Sequence, residues 1–501
     1  MSVFKAVAKG FILMMFGVVI TRAIGFFYKV LFSRSYGADG FGLFSIGLGF
    51  FTLLATFSIM GLNIGLSRYI SMYRQKDTKK LNKIILIFTT ISVLVSILLA
   101  VTLIILSNQL SKIYKSDELI IIFKYFALGI PLYVAMLLSQ KIFEGFKNFK
   151  YSAILEVSLS AIKFLFLLLC VLFAFNLSAV VLSFIVSLFF VSIIGLYLVN
   201  KFVKIVDVFK SKFDSKLLVD VVRYSWPLSL ALILHTTLSW FDSLVLGYFN
   251  SAREVGIYNL AMSVAGLISL PSLVGSSVLL PVFSELHEKR DSKHVNLIYS
   301  TAIKWLSILC LPILFMIITY PSLVLNIVGG AEFLAGDKPL VFLAFAFLIS
   351  TVILPSTIVL LAAGKTKFLL MNTIVAVITN LILNLLLIPK YGMIGAAISF
   401  FTTTFLVNVL RLIEVNKLFR IQPFNWKYMK LLLNFLIAGL VSFYLVDYLS
   451  IGQYSTLILS FITFTLIYFS LFFALKCYSK EDLEVLNAIK MKLSGYKDKY
   501  F

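Results

Sequence analysis

About fourteen apolar stretches run through this chain almost from end to end, and a helix needs only about 20 mostly apolar residues to cross a bilayer. The spans fall near residues 12–32, 43–66, 83–107, 119–140, 152–175 and 177–200. After a polar interval they resume near 225–248, 256–282, 298–320, 340–363, 368–389 and 393–415, and a last pair lies near 428–447 and 455–475. Runs such as Ile84 to Leu99 and Ile358 to Ala363 are continuously apolar and lack the period-two alternation of a membrane β-barrel. Helices remain as the structure that satisfies every backbone polar group in lipid. The expected class is an all-α polytopic membrane protein. With 61% hydrophobic and 13% charged residues, the chain has far more apolar surface than one aqueous core could bury. The first apolar run carries Arg22 and Lys29 and has no small-residue cleavage site beyond it, so it is expected to be a crossing helix and not a cleaved signal peptide.

The net charge of +22 would suggest nucleic acid in a soluble protein, but in a membrane protein position outweighs total. Of the 44 Lys and Arg, roughly 32 fall at the amino terminus, in alternate gaps and in the tail, roughly 6 in the other gaps, and six within spans. The positive-inside rule therefore predicts an even number of crossings with both termini in the cytoplasm, in a multi-pass protein of the cell membrane. No nucleic-acid partner is expected.

Signals of catalysis are missing. Cys170, Cys310 and Cys477 have no paired spacing and read as packing residues. His287 and His294 are too far apart for a zinc-binding helix pair, and Gly42, Gly47 and Gly49 do not form a dinucleotide fingerprint. No P-loop, Asp-x-Asp pair or Gly-x-Ser-x-Gly elbow occurs, and the longest expected external gap, near 321–339, is too short to house a catalytic domain. The sequence argues against an enzyme.

An internal repeat organises the chain. YGADGFGLF at 36–44 falls in register with NSAREVGIY at 250–258, so that Gly42 matches Gly256. EGFKNFK at 144–150 and AGKTKF at 363–368 occupy equivalent turns between the fourth and fifth helices of each set. Six crossings per copy is an even number, so the copies are parallel repeats about an axis along the membrane normal. The expected organisation is a six-helix lobe at 1–205, a second at 206–420, a terminal pair at 421–478 and an amphipathic cytoplasmic tail at 479–501. Two lobes of this kind facing one another suit a transporter with a cavity between them.

Several segments carry a resemblance: LLAAGKTKF and NLILNLLLIPKYGMIGAAIS within 360–399, VGIYNLAMSVAGLISLPSLVGSSVLLPVFSEL at 255–286, and ITRAIGFFYKVL followed by YGADGFGLFS near the amino terminus. In these the chain resembles the polysaccharide transporter branch of the multidrug/oligosaccharidyl-lipid/polysaccharide flippase superfamily, over nearly its whole length. The resemblance implies a fourteen-helix fold of the MATE and MOP flippase type and transport of an oligosaccharide carried on a polyprenyl phosphate or pyrophosphate. It also implies that a first-helix arginine, matched here by Arg22, lines the central cavity, and that the terminal pair borders its lipid side.

A charge at mid-bilayer is costly, about 2.5–3.5 kcal/mol on insertion scales, and usually faces a wet cavity or a partner. Lys304, Arg411 and Lys124 lie near span ends, where snorkelling to the interface is the default. Arg22 is about ten residues, or roughly 15 Å, from either end of its span, which makes it the leading substrate-binding candidate. Lys29 lies two turns later on the same face, with Gly25 between them leaving room. Guanidinium and ammonium groups so spaced suit a phosphate or pyrophosphate; a structural ion pair with a carboxylate of another helix is the alternative. Lys163 and Glu156, seven apart on the fifth helix, either extend the polar lining or pair with charges elsewhere. On the seventh helix the repeat places Thr236 opposite Arg22 and Ser243 opposite Lys29, beside His235 and Asp242. Asp242 suits either a coupling Na+ or H+ or the counter-ion of Arg22 or Lys29.

Prolines at 271, 312 and 355 are expected to interrupt three spans of the second lobe. Leu483, Leu486, Ile489 and Leu493 are spaced for a helix on the membrane surface. The expected activity is flipping of a lipid-linked glycan by alternating access for cell-surface glycan synthesis, with membrane lipids and glycan-assembly enzymes as partners. A MATE-like small-molecule exporter and a non-transporting scaffold are the alternatives.

Overall fold

Continuous apolar runs fold here as helices throughout. The computed structural model describes residues 3–212, 214–289, 291–424, 426–448, 452–475 and 478, and no strand occurs among them. The helices are α1 (Val3–Ile59), α2 (Leu62–Tyr73), α3 (Thr78–Ile113), α4 (Glu118–Gly145), α5 (Phe149–Leu172), α6 (Leu177–Val199), α7 (Ile205–Phe209), α8 (Ser215–Phe249) and α9 (Ala252–Ala265). They continue with α10 (Leu270–Glu288), α11 (Ser292–Thr319), α12 (Pro321–Gly329), α13 (Asp337–Val352), α14 (Leu354–Ala362), α15 (Thr366–Phe419), α16 (Trp426–Tyr448) and α17 (Gln453–Ala474). Local chemistry sets several starts. Asp77, Asn176, Asp214 and Asp291 each accept a bond from a backbone N–H in the first turn of α3, α6, α8 and α11, satisfying one of the donors a helix leaves open.

Among the described residues, eleven helices are long and apolar enough to cross a membrane. Large side chains such as Leu98, Ile105, Leu172, Ile458 and Leu466 are more than half exposed, an arrangement that belongs in lipid and not in water. The protein is a multi-pass membrane protein. Two helices, of 57 and 54 residues, each hold a glycine break: Gly37 in α1 at φ 69° and Gly392 in α15 at φ 53°. Left-handed backbone of this kind costs a glycine little. The helix that resumes after each break has open N–H groups, and a glutamate meets one of them: Ala38 N donates to Glu332 Oε2 at 2.8 Å, and Met393 N to Glu254 Oε2 at 3.1 Å. Negative charge is favourable at a helix start.

The chain divides into two compact units. The first comprises Met1–Ser263, Leu325–Pro339 and Thr373–Phe400, so it takes in all of 1–205 together with α8, most of α9 and later pieces. Its core includes Phe32, Phe44, Phe51, Phe126 and Phe184, with Phe32 and Phe44 ring centres 4.9 Å apart. Within this unit the repeat-matched glycines meet. A Cβ added to Gly42 would collide with the Ala252 carbonyl, one added to Gly256 would collide with the Ala38 carbonyl, and each such Cβ would lie 3.0 Å from the other glycine's nitrogen. Ala38 matches Ala252 in the same register, so the contact is reciprocal. Beside it, Arg34 donates to the carbonyls of Asn326 and Ile327.

The second unit comprises Val264–Val324, Leu340–Asn372 and Phe401–Phe501. Phe283, Tyr299, Ile303, Leu360 and Val415 are buried together, and the Tyr299 hydroxyl meets Ser356 Oγ at 2.7 Å. The terminal pair α16 and α17 packs through Asn434 Nδ2, which donates to the Tyr468 carbonyl, and attaches to α11 through a 4.1 Å stack of Phe315 on Phe464.

Several expectations need correction here. Lys304 is buried, only 7% exposed, on α11, which is packed by α10, α14, α16 and α17. Arg411 is half-buried, with Nη1 donating to Asn408 Oδ1 at 3.3 Å, whereas Lys124 is exposed as expected. Pro271 and Pro355 stand at the first turns of α10 and α14, where the missing N–H costs nothing, but α11 runs unbroken through Pro312. The external gap near 321–339 is helical, formed by α12 and a short 3-10 turn at Ala331–Gly336. Cys170 and Cys310 are buried and free; Cys477 and the tail residues Leu483 to Leu493 lie outside the described residues.

Candidate functional site

The first half of α1 carries Arg22 and Lys29, and Lys163 of α5 lies near them. Arg22 and Lys29 are both exposed, and Lys29 lies within electrostatic reach of both Arg22 and Lys163. Gly25 leaves the stripe between them open, since a Cβ there would meet nothing within 4 Å. Arg22 takes part in no ion pair among the described residues. Lys163, half-buried on α5, sits 5.1 Å over the ring of Tyr28, a favourable placement for a cation. The buried Tyr28 hydroxyl and Thr21 Oγ1 have no hydrogen-bond partner among the described residues, so polar capacity remains unused on the stretch of α1 that carries the cations. Glu156 is half-buried, with the charges of Arg22, Lys141 and Glu144 in electrostatic reach. Lys141 is itself paired with Glu144 at 2.7 Å. Glu156 and Lys163 form no pair with each other.

The carboxylate of Asp242 has different surroundings. It is 2% exposed and accepts three bonds: from Tyr258 Oη at 2.9 Å, Asn380 Nδ2 at 2.9 Å and Asn384 Nδ2 at 2.6 Å. No Lys or Arg pairs with it among the described residues, so the counter-ion alternative for Arg22 or Lys29 is not what the structure holds. Asn384 Nδ2 also reaches Asn380 Oδ1 at 3.0 Å, and the buried Asn384 Oδ1 has no partner among the described residues. His235 is exposed, and its ring bonds to nothing among the described residues; the seven-residue spacing does not bring it to Asp242.

Between the two clusters, Lys29 Nζ donates to Ser263 Oγ at 2.8 Å, Ser263 Oγ donates to the Asn259 carbonyl at 2.6 Å, and Asn259 Nδ2 donates to Ser243 Oγ at 3.0 Å. Ser243, the repeat match of Lys29, therefore lies three hydrogen bonds from it, while Thr236, the match of Arg22, faces Thr56 Oγ1 at 3.4 Å. Sequence reasoning missed Tyr28, Tyr258, Asn259, Ser263, Asn380 and Asn384. A signal existed for the last two: Asn380 and Asn384 stand one turn apart in the apolar run NLILN, and amides at that depth require partners.

Residues 7–287 match the family described as polysaccharide biosynthesis protein, and residues 227–386 match the family described as MatE. An uncharacterized membrane protein of Methanocaldococcus jannaschii is 24% identical over 449 residues, 86% of this chain and 88% of that one. A protein of Shigella flexneri named as an O-antigen transporter is 24% identical over 405 residues, 79% of this chain and 94% of that one. Among solved structures, lipid II flippase MurJ in its inward closed conformation superposes with a TM-score of 0.73 at 16% identity, over 92% of this chain and 98% of that one. At that identity the likeness is one of fold.

Proposed function

Since this chain belongs to the polysaccharide biosynthesis protein family, we propose that it is a flippase, carrying an oligosaccharide linked to a polyprenyl phosphate or pyrophosphate from the cytoplasmic to the outer leaflet by alternating access. The observation that carries this reading is the exposed Arg22, in no ion pair among the described residues, with Lys29 in electrostatic reach of both Arg22 and Lys163. Fixed positive charge within a membrane span attracts a phosphate, and it repels the organic cations that small-molecule exporters commonly carry. The relative named as an O-antigen transporter and the fold shared with a lipid II flippase point to the same substrate class.

In this mechanism the substrate's phosphate rests against Arg22 and Lys29, its sugars occupy the space between the lobes at 1–205 and 206–420, and the prenyl tail stays in lipid. The division of α1 at Gly37 and of α15 at Gly392, together with the 35-residue α8, supports fourteen crossings. The Lys and Arg bias supports cytoplasmic termini in the plasma membrane, and glycan-assembly enzymes are the expected neighbours on that face. To test this, the purified protein is reconstituted in vesicles with a fluorescent sugar on a prenyl diphosphate in one leaflet. Exchange to the other leaflet is expected; efflux of an organic cation without lipid exchange would identify an exporter instead.

Asp242 is the ion-coupling group. A buried carboxylate that pairs with no Lys or Arg among the described residues, beside an Asn384 Oδ1 with no partner among them, offers oxygen ligands to Na+ or a base to H+. Asp242→Asn is expected to remove the response of transport to an imposed Na+ or pH gradient, measured in the same vesicles. A variant that responds as strongly as the native protein would end this assignment.

A further inference from the structure

The two clusters described above are joined by α9, and nothing in the transport reading assigns that connection. Adjacent residues of α9, Tyr258 and Asn259, hold adjacent residues of α8, Asp242 and Ser243. One turn on, the same helix presents Ser263. Its hydroxyl proton is committed to the Asn259 carbonyl, so its oxygen is left to accept from Lys29 Nζ at 2.8 Å. Asn259 is held in turn by the Val255 carbonyl, which accepts from its Nδ2 at 2.9 Å. Each link is a single hydrogen bond between neighbouring side chains or to the α9 backbone, so a continuous route runs from the Lys29 ammonium to α9, the helix that also holds Asp242 through Tyr258.

We propose that Ser263 and Asn259 are positioning residues that couple the Lys29 anion site to the Asp242 site, so that filling one changes the affinity of the other. This rests on the reading above, in which Lys29 meets the lipid-linked phosphate and Asp242 the coupling ion. A phosphate that draws the ammonium away breaks its bond to Ser263 and frees α9 to shift; an ion at Asp242 biases the same helix from the other end. Reciprocity follows, because a coupling free energy acts equally on both ligands.

The probe is farnesyl diphosphate, titrated against the full chain in lipid nanodiscs by tryptophan fluorescence. Titrations are run with NaCl or choline chloride at equal ionic strength, and again across pH 5.5–8.5. The native protein is expected to show an affinity that changes about fivefold or more with Na+ or pH, the lower range of ordinary allosteric coupling. Ser263→Ala is expected to bring that ratio close to 1, and Ser263→Thr, which keeps the hydroxyl, to restore it. Asp242→Asn also abolishes the ratio, whereas Lys29→Ala weakens binding under every condition. A Ser263→Ala ratio equal to the native one, in a variant that elutes as a monodisperse peak, overturns the coupling while leaving the transport reading intact. Native binding with no ion or pH dependence overturns the coupling together with the Asp242 assignment, and no native binding at all overturns the phosphate site itself.

Discussion

Arg22→Ala is expected to stop transport almost completely, with cytoplasm-facing lipid-linked glycan accumulating in cells and the protein still inserted in the membrane. The guanidinium offers a phosphate two parallel donors that no neighbour duplicates: Lys29 is engaged with Ser263, and Lys163 lies over Tyr28. Hydrogen bonds to charged groups contribute about 1.5–3 kcal/mol each way, so losing such a contact weakens substrate capture by about 10- to 150-fold. Arg22→Lys keeps the charge but loses the planar fork, and it is expected to recover only part of the activity. The measurement is the ratio of inward- to outward-facing lipid-linked glycan, read by access of a glycan-modifying enzyme to intact cells. An alanine variant with the native ratio would remove the phosphate from this helix. Arg22 forms no ion pair among the described residues, so the substitution breaks no salt bridge there, though Glu156 loses a nearby cation. The amount of folded protein in the membrane separates a binding defect from a folding one.

Gly256→Ala is expected to destabilise the protein strongly, by about 3 kcal/mol or more, at the top of the range for overpacking. The added methyl would fall on the Ala38 carbonyl, and Gly42→Ala would fall on the Ala252 carbonyl. Neither obstacle is a side chain that can turn away; both are backbone, so the crossing helices themselves must separate. Gly275→Ala supplies the control. Its Cβ would meet Leu306 Cδ2 at 3.6 Å, an ordinary contact, and inside a helix alanine is favoured over glycine by about 1 kcal/mol. Apparent melting temperatures of the three purified variants in detergent decide the matter. Values for Gly256→Ala and Gly42→Ala at or above that of Gly275→Ala would contradict the reciprocal crossing.

The substitutions also show how much could be read without coordinates. Gly42 and Gly256 were paired by repeat register, and register alone implies equivalence, not contact; that they pack against each other required two helices far apart in sequence to cross. The Arg22, Gly25 and Lys29 stripe was legible because a helix returns to the same face every two turns, and the structure finds open space at Gly25 where the spacing left room. His235 and Asp242 share that spacing yet do not share a site, since periodicity gives a face and says nothing of what packs there. Lys304 shows the same limit: nearness to a span end suggests an escape to the interface, but the side chain is buried on a helix packed by α10, α14, α16 and α17.

The amino-acid sequence by itself determined the solvent and the helical class, because hydropathy and helical period are local properties summed along the chain. Only the tertiary structure decided which groups meet: Lys29 with Ser263, Asp242 with Tyr258, Asn380 and Asn384, and Gly42 with Gly256. Those contacts join helices up to about 140 to 230 residues apart, and long-range pairing follows from how the apolar faces pack in three dimensions, which no local pattern encodes.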